Sequence, residues 1–294
     1  MAMSTSIRTT MAMSTSIRTA SITMSTGHEM RTQASVRPKS RRFDAVTSRS
    51  KAHGQGLRKP FWREATMATN EPNTSECKQM LTEAMRMLER AEIIDFNGHF
   101  SARIPGTERV LINSGKSVRS ALTVNDFVII DLDGKLLEGE AVPPMEFHIH
   151  TEVYRRRPDV GAVAHTHPLW STLFSMTDTP IRPVIMQASL LGEIQQFAKT
   201  ASINQKTLGE EVAAALGLHR VILLKSHGAV IAAEGVVECF ALAVYLEETA
   251  RRQYLALQLG AATDLLAEEI EGARRNLWKP QLLRKVWDYH KAKL

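Results

Sequence analysis

Each of two apolar runs in this chain is divided by a tight-turn sequence, and this pattern restricts the possible folds more than any other feature. FVIIDLDGKLLEGE (127–140) and VILLKSHGAVIAA (221–233) are each predicted to form two strands joined by a turn. VGAVAHTH (160–167) is predicted to form a further buried strand. Segments with helical periodicity, such as 236–259, alternate with these strands. The pattern predicts an α/β domain in which helices pack on a mixed central sheet.

Capping and turn residues set the expected limits of the other elements. Thr74 or Ser75 is expected to cap a helix that begins near Glu76. Pro143 and Pro144 are expected to begin a helix that runs to about residue 156, because proline is tolerated at the first helical positions. The other expected elements are a strand at 110–115, a helix at 207–217 and a helical segment at 265–294 that is interrupted by a proline.

The charge of the chain is concentrated in its first 66 residues, which hold twelve Lys and Arg but only three acidic residues. This segment repeats MAMSTSIRT (1–9) at 11–19, is rich in Ser and Thr, and lacks apolar periodicity. It is therefore predicted to be a disordered basic leader. We favour an over-extended reading frame that truly starts at Met67 over an organelle transit peptide. Residues 67–294 are expected to form the catalytic domain.

The composition excludes several classes of protein. With 44% hydrophobic and 23% charged residues, the chain is neither collagen-like, fully disordered nor a disulfide scaffold. It contains no run of roughly 18 apolar residues, so no membrane span is expected. Cys77 and Cys239 are far apart in the sequence, which suits a reducing compartment. We therefore expect a cytoplasmic location. Because the body is mildly acidic, we expect no nucleic-acid partner.

Three histidines are candidate metal ligands. His165 and His167 should project to the same side of the predicted strand, because side chains alternate along a strand and Pro168 then ends it. His227 lies in the turn between two other strands, beside Gly228, which allows close approach of the backbone. Two such strand ends can converge, and three imidazoles with an open position are typical of a catalytic metal site. Alternatively, each histidine is a polar residue satisfied by water at a strand end.

Glu146 is the candidate acid/base. It is expected in the first turn of the helix that leads into the His165 strand, where the helix dipole favours a carboxylate. A carboxylate close to a metal can act as a general acid or base. A glutamate in a first helical turn is also common as a simple partner of the dipole.

These residues together resemble the class II aldolase/adducin family. The run E-F-H-I-H-T-E-V-Y-R-R-R-P-D-V-G-A-V-A-H-T-H-P (146–168) matches the family pattern E-x-x-x-H…Y-x-x-R-P-D-x-x-A-V-x-H-x-H. Shorter matches are G-H-F-S-A-R (98–103), N-S-G (113–115), L-T-x-x-D (122–126), D-L-D-G (131–134) and E-x-x-A-R near Glu248. The resemblance covers about residues 75–290.

The resemblance implies a three-layer α/β domain with a mixed or antiparallel central sheet flanked by helices. It implies that His165, His167 and His227 bind one divalent metal, zinc or manganese, and that Glu146 donates and accepts the proton. It also implies a small-molecule substrate and a homotetramer with sites between subunits. The non-enzymatic adducin branch lacks these ligands, so their presence here favours catalysis over an adducin-like interaction module.

The chain departs from the sugar-phosphate aldolases of the family in its expected substrate-binding residues. His99 stands where they have a phosphate-binding Asn, and Pro144 and Met145 replace a pair of serines; only Ser114 and Gly115 remain. A site for a dianion should be rich in donors. The variant resembles the branch that decarboxylates hydroxylated aromatic or pyridine dicarboxylates, with His99 as a candidate carboxylate ligand if protonated, or simply a packing residue.

The alternative is an aldolase that cleaves a hydroxy-ketone or sugar phosphate, since the same donor set serves both reactions. Three further residues have open roles. His150 is a candidate partner of a site residue, and Trp287 and Tyr289 either close over a neighbouring site or pack in the core.

Overall fold

One eight-stranded sheet runs through residues 73–294, the part of the chain that the computed structural model describes. The predicted leader over residues 1–66 lies outside the described residues. The strands are β1 (His99–Arg103), β2 (Val110–Asn113), β3 (Phe127–Ile130), β4 (Leu136–Glu138), β5 (Ala162–Thr166), β6 (Ile194–Phe197), β7 (Val221–Leu224) and β8 (Gly228–Ala233). Their order is β4-β3-β2-β1-β5-β8-β7-β6. Neighbours are antiparallel except β6 and β7, so the predicted mixed sheet is confirmed.

Helices cover both faces of the sheet. They are α1 (Thr74–Arg90), α2 (His148–Arg156), α3 (Leu169–Ser175), α4 (Lys206–Leu216), α5 (Val236–Leu259), α6 (Ala267–Leu277) and α7 (Pro280–Lys291). Alternate residues of β5 enter different cores: Ala162 and Ala164 pack with α1 and α5, whereas Val163 packs with α2 and α4. The result is the expected three-layer arrangement. No helix among residues 73–294 is long and apolar enough to cross a bilayer.

The first helix begins at Thr74, two residues before the expected start near Glu76. Asn73, not Thr74 or Ser75, is its N-cap. The Asn73 side chain accepts a hydrogen bond from the Glu76 backbone, and the Glu76 carboxylate accepts one from the Asn73 backbone, each at 3.0 Å. This capping box satisfies two backbone donors at once, which a single hydroxyl cap would not do.

The helix expected from Pro143 begins instead at His148, so the prediction that Glu146 lies in its first turn is wrong. Each proline disfavours the helical conformation in the residue before it, and Pro144 therefore holds Pro143 out of the helix. The backbone N–H of Gly115 also donates to the Val142 carbonyl at 3.0 Å, tying this segment to the loop after β2. Glu146 consequently lies in a separate turn that leads into α2.

Two strands form where the sequence pattern predicts no regular element. The stretch 98–103 contains β1, at the centre of the sheet, and β6 forms the sheet edge within 168–206. The β6 sequence IQQF has neither polar–apolar alternation nor a continuous apolar run, and it is held by parallel pairing with β7.

Candidate metal centre

Four side chains that the sequence analysis singles out converge at one end of β5. His165 lies on this strand and His167 directly after it, while His227 lies in the β7–β8 turn and Glu146 in the turn before α2. One ligand atom from each residue can be chosen so that all four lie within 4.8 Å of one another. Glu146 Oε2 lies 3.5 Å from His165 Nε2 and 3.7 Å from His227 Nε2. This group could hold a metal ion.

Hydrogen bonds to His165 and His167 indicate that a cation fits this position. His165 Nδ1 lies 3.1 Å from the Ala229 carbonyl oxygen, and His167 Nδ1 lies 3.1 Å from Asp95 Oδ2. Because both partners accept hydrogen bonds, both Nδ1 atoms carry the proton and both Nε2 atoms carry a lone pair. These two Nε2 atoms are 2.9 Å apart. Lone pairs that face each other at this distance repel unless an electron-pair acceptor lies between them.

The backbone around His227 is held in a form that few sequences allow. Ser226 has a positive φ of 53°, and its N–H donates to Ser175 Oγ at 3.0 Å. At Gly228, a Cβ atom would lie 2.2 Å from the Thr166 carbonyl oxygen. Only glycine therefore lets β8 approach β5 closely enough to bring His227 beside His165, in agreement with the predicted role of Gly228.

The three candidate ligand histidines are electrically neutral near pH 7. Burial lowers the pKa of His165, His167 and His227 below the ordinary histidine value, and repulsion between neighbouring imidazoles lowers it further. The Glu146 carboxylate raises each pKa but does not outweigh these effects. A neutral imidazole is the form that binds metals, so the environment prepares these side chains as ligands.

The Glu146 carboxylate is held from its far side. Glu146 Oε1 accepts hydrogen bonds from Ser202 Oγ and from the Ile203 backbone N–H, each at 2.8 Å. Burial raises the pKa of Glu146, but interactions with the neighbouring His165 and His99 and a hydrogen bond from Ser202 lower it well below the usual glutamate range. Glu146 is therefore ionised near pH 7, which is the protonation state that a general base needs. Ser202 and Ile203 are more than fifty residues from Glu146, and no sequence motif marks their role.

Asp95 is a site residue that sequence reasoning missed. It lies in the loop before β1, where its carboxylate also accepts a hydrogen bond from the Asn97 backbone at 2.7 Å. Burial raises the pKa of Asp95, but the backbone hydrogen bond from Asn97 and the interaction with His167 lower it overall. The ionised carboxylate fixes the ring orientation and tautomer of His167, as partners of metal-binding histidines commonly do.

His99 lies beside the group. It is the cross-strand partner of His165 in the β1–β5 pair, and its Nε2 lies 3.7 Å from Glu146 Oε2. Burial lowers the pKa of His99 to about 3, although the neighbouring Glu146 carboxylate opposes this shift. His99 is therefore neutral near pH 7, and its contact with a substrate carboxylate stays a prediction.

The other candidate substrate-binding residues lie around the Glu146 turn. A Cβ atom on Gly115 would lie 3.1 Å from the Pro143 carbonyl oxygen, so this loop contacts the turn closely. Ser114 is buried next to Gly115, whereas Met145 is 75% exposed. Their contact with a substrate stays a prediction.

The structure distinguishes the three residues with open roles. His150 is fully buried, and its Nε2 lies 2.6 Å from His99 Nδ1, so it contacts the site through His99. Trp287 is fully buried against Phe240 and packs in the core. Tyr289 is 61% exposed beside Lys293.

Comparison with known proteins is consistent with this geometry. Residues 79–254 match the family described as "Class II Aldolase and Adducin N-terminal domain", and this range contains Glu146 and the three histidines. The 3,4-dihydroxyphthalate decarboxylase of Terrabacter sp. is 29% identical over 212 residues, which cover 66% of this chain and 87% of that protein. The L-fuculose phosphate aldolase of Methanococcus maripaludis strain C5 is 25% identical over 174 residues, covering 59% and 93%.

The fold is also found among solved structures. An aldolase II superfamily protein from Pseudomonas syringae superimposes with a TM-score of 0.67 at 22% identity. The alignment covers 79% of this chain and 95% of that protein, so the similarity extends over most of the residues that the structure describes.

Proposed function

Because this chain belongs to the class II aldolase and adducin family, we propose that it is a divalent-metal-dependent carbon–carbon lyase that decarboxylates a hydroxylated aromatic or heteroaromatic carboxylate. The observation that carries the proposal is the convergence of one carboxylate and three neutral imidazoles within 4.8 Å. Zinc or manganese suits this donor set, since imidazole binds both and a carboxylate adds affinity for manganese.

His165, His167 and His227 would hold a divalent cation, which would supply Lewis-acid stabilisation of the negative charge that develops when the carbon–carbon bond breaks. The three imidazoles are oriented before any ligand arrives, through Ala229, Asp95 and the β7–β8 turn. Such preorganisation reduces the reorganisation needed during the reaction.

Glu146 moves the proton in the proposed reaction. In its ionised form it accepts the proton of a substrate hydroxyl, which leaves an electron-rich ring. The bond to the departing carboxylate then breaks and releases carbon dioxide, and the bonding electron pair stays on the ring carbon. Glu146 returns its proton to that carbon, and water restores the hydroxyl proton when the product leaves. Ser202 and the Ile203 backbone hold the carboxylate in place through both transfers.

The two residues immediately before Glu146 offer no side-chain donor to a phosphate, and this favours decarboxylation. Pro144 and Met145, which precede Glu146, offer no side-chain donor, and the neighbouring His99 is neutral. A phosphate dianion is normally held by several charged or backbone donors. A planar carboxylate with an adjacent hydroxyl needs fewer, and 3,4-dihydroxyphthalate decarboxylase is the name of one relative.

The second candidate is aldol cleavage of a hydroxy-ketone or sugar phosphate. It is favoured by the relatives named L-fuculose phosphate aldolase and by the retained Ser114 and Gly115. An adducin-like module without catalysis is the third, and the intact donor set weighs against it.

A cytoplasmic location is also proposed, with residues 1–66 dispensable; a chain that starts at Met67 should melt at the same temperature as the full chain.

We also propose a homotetramer with sites between subunits. Phe96 and Met145 are apolar, 81% and 75% exposed, and adjacent in the sequence to Asp95 and Glu146. Apolar side chains so exposed beside a site are typical of surfaces that contact a partner. Light scattering should give the mass of four chains; a monomer with full activity would refute this assembly.

The experiment that tests the function incubates the protein with Mn²⁺ or Zn²⁺ and two sets of compounds. Hydroxylated aromatic carboxylates form one set and sugar phosphates the other, with products identified by mass. Release of carbon dioxide supports the decarboxylase, and release of an aldehyde supports the aldolase instead. Failure of both, together with a protein that binds no divalent ion, would favour the non-catalytic module. Glu146→Gln should lose most of whichever activity is found, and Glu138→Gln, at an exposed residue of β4, is its control.

A further inference from the structure

A buried line of polar side chains leads away from Glu146 between β1 and α2. His99 and Ser101 alternate on β1 toward α2, and His150 and Tyr154 follow Glu146 at intervals of four residues. The two sets interlock: His99 Nδ1 lies 2.6 Å from His150 Nε2, His150 Nδ1 lies 2.7 Å from Ser101 Oγ, and Ser101 Oγ lies 2.8 Å from Tyr154 Oη.

These side chains are shielded from solvent. His99 is 2% exposed, Tyr154 1%, and Ser101 and His150 are fully buried. A buried polar atom that lacks its partner costs free energy, so the donors and acceptors along this line must alternate consistently. One choice of proton position therefore determines the next.

Two observations set the direction of the line. Ser101 Oγ lies 2.7 Å from His150 Nδ1 and 2.8 Å from Tyr154 Oη, so a Ser101 hydroxyl that accepts from Tyr154 donates to His150. His150 then carries its proton on Nε2 and donates to His99 Nδ1. This leaves the His99 proton on Nε2, the atom that faces Glu146. The opposite direction would place a His99 lone pair against the ionised Glu146 carboxylate.

We propose that Ser101 and His150 are positioning residues that lock His99 into the tautomer with its proton on Nε2, so that His99 presents a neutral N–H donor to a carboxylate group of the substrate. The tautomer follows from contacts in the protein alone, whereas the choice of a carboxylate as acceptor rests on the proposed function. A donor without charge binds a carboxylate that remains on the product and releases it readily, because no ion pair must be broken.

Two variants distinguish the effect of hydrogen-bond direction from the effect of removing a buried hydroxyl. Ser101→Ala removes the donor to His150 Nδ1, so a proton on this nitrogen is no longer opposed. The His99 proton should consequently move to Nδ1. Tyr154→Phe removes a hydroxyl from the same buried line but leaves the Ser101 donor intact, so the His99 tautomer should not change.

The tautomer is measured by ¹⁵N nuclear magnetic resonance of histidine-labelled protein, metal-free and loaded with Zn²⁺. His99 is assigned by its loss in His99→Gln. We expect Nε2–H in the wild-type protein and in Tyr154→Phe, and a shift toward Nδ1–H in Ser101→Ala. A wild-type His99 that carries its proton on Nδ1, or no change in Ser101→Ala, would overturn the assignment, with or without a known substrate.

The role in binding is measured by calorimetry with the Zn²⁺-loaded protein and two probes, 3,4-dihydroxybenzoate and catechol. The probes differ only in the carboxylate. His99→Asn places its amide near the position of Nδ1 and should lose roughly ten- to a hundred-fold in affinity for the first probe alone. His99→Gln, whose amide reaches the Nε2 position, should retain more of it. Equal losses for both probes would refute the carboxylate contact while leaving the lyase proposal open to its own test.

Discussion

Replacing Asp95 by Asn should weaken metal binding although all four candidate ligands remain. His167 Nδ1 lies 3.1 Å from each carboxylate oxygen of Asp95. Asparagine keeps one acceptor, but it loses the negative charge and places an N–H group beside the His167 proton. Loss of such a partner commonly reduces metal affinity by 10- to 100-fold, which corresponds to about 1.4–2.8 kcal/mol of binding free energy.

The assay is a titration with Zn²⁺ in competition with a chromophoric chelator. Asp95→Asn is compared with Asp95→Ala, which removes both acceptors and should lose more affinity, and with Glu138→Gln, a carboxylate change at an exposed site on β4. Asp95 also holds the loop before β1 through the Asn97 backbone, so melting curves with a strong chelator are needed. These curves separate loss of loop stability from loss of the metal.

An affinity of Asp95→Asn equal to that of Glu138→Gln, with unchanged melting, would refute the reasoning. It would mean that the orientation of His167 is set by its place after β5 and does not depend on the carboxylate. A loss of affinity that appears only together with a lower melting temperature would assign Asp95 to the loop alone.

Three other changes test separate parts of the structure. Glu146→Gln should keep the metal, measured by elemental analysis, and lower kcat by roughly 100- to 10,000-fold; an unchanged rate would remove Glu146 from the mechanism. Gly228→Ala should destabilise the fold by about 1–3 kcal/mol in urea unfolding, because a methyl group there overlaps a carbonyl of β5. In the same assay Gly272→Ala in α6 should stabilise the fold by about 0.5–1 kcal/mol, because the added methyl group meets no atom within 4 Å. Burial raises the pKa of Glu83, but Gln79 and Lys291 lower it overall. Glu83 should therefore stabilise the fold above about pH 4.3, and this contribution should be lost as the pH falls through the folded pKa. The melting temperatures of Glu83→Gln and the wild-type protein should consequently converge in acid.

The strand-end histidines are predictable because their signals are local. His165 and His167 follow from alternation along one apolar run, and His227 from a turn between two others. Their convergence needs only that β5 and β8 be neighbours in the sheet. The position of Glu146 is less local. Glu146 lies in a turn just before α2, and its orientation depends on Ser202 and Ile203, which are distant in the sequence.

Partners such as Asp95 cannot be predicted from one sequence. The contact between Asp95 and His167 spans 72 residues and joins a loop to a strand end, so no spacing rule places the two together. A loop aspartate is also common as a partner of nearby backbone N–H groups, a role that Asp95 fills as well through Asn97. The hydrogen bond from the Asn97 backbone alone accounts for an aspartate at this position, so the sequence does not point to the further contact with His167.

The line from Glu146 to Tyr154 is an intermediate case. Two residues of a strand advance the chain by roughly 6.6 Å and four residues of a helix by about 6 Å, so polar side chains with these two periods can stay opposite one another for a few steps. H-x-S (99–101) and E-x-x-x-H-x-x-x-Y (146–154) have these periods, and both are visible in the sequence. What the sequence does not show is that the H-x-S segment and the α2 segment are neighbours. They meet because β1 lies in the centre of the sheet between β2 and β5. The proton position on His99 therefore depends on sheet order, through contacts that no single segment of the chain contains.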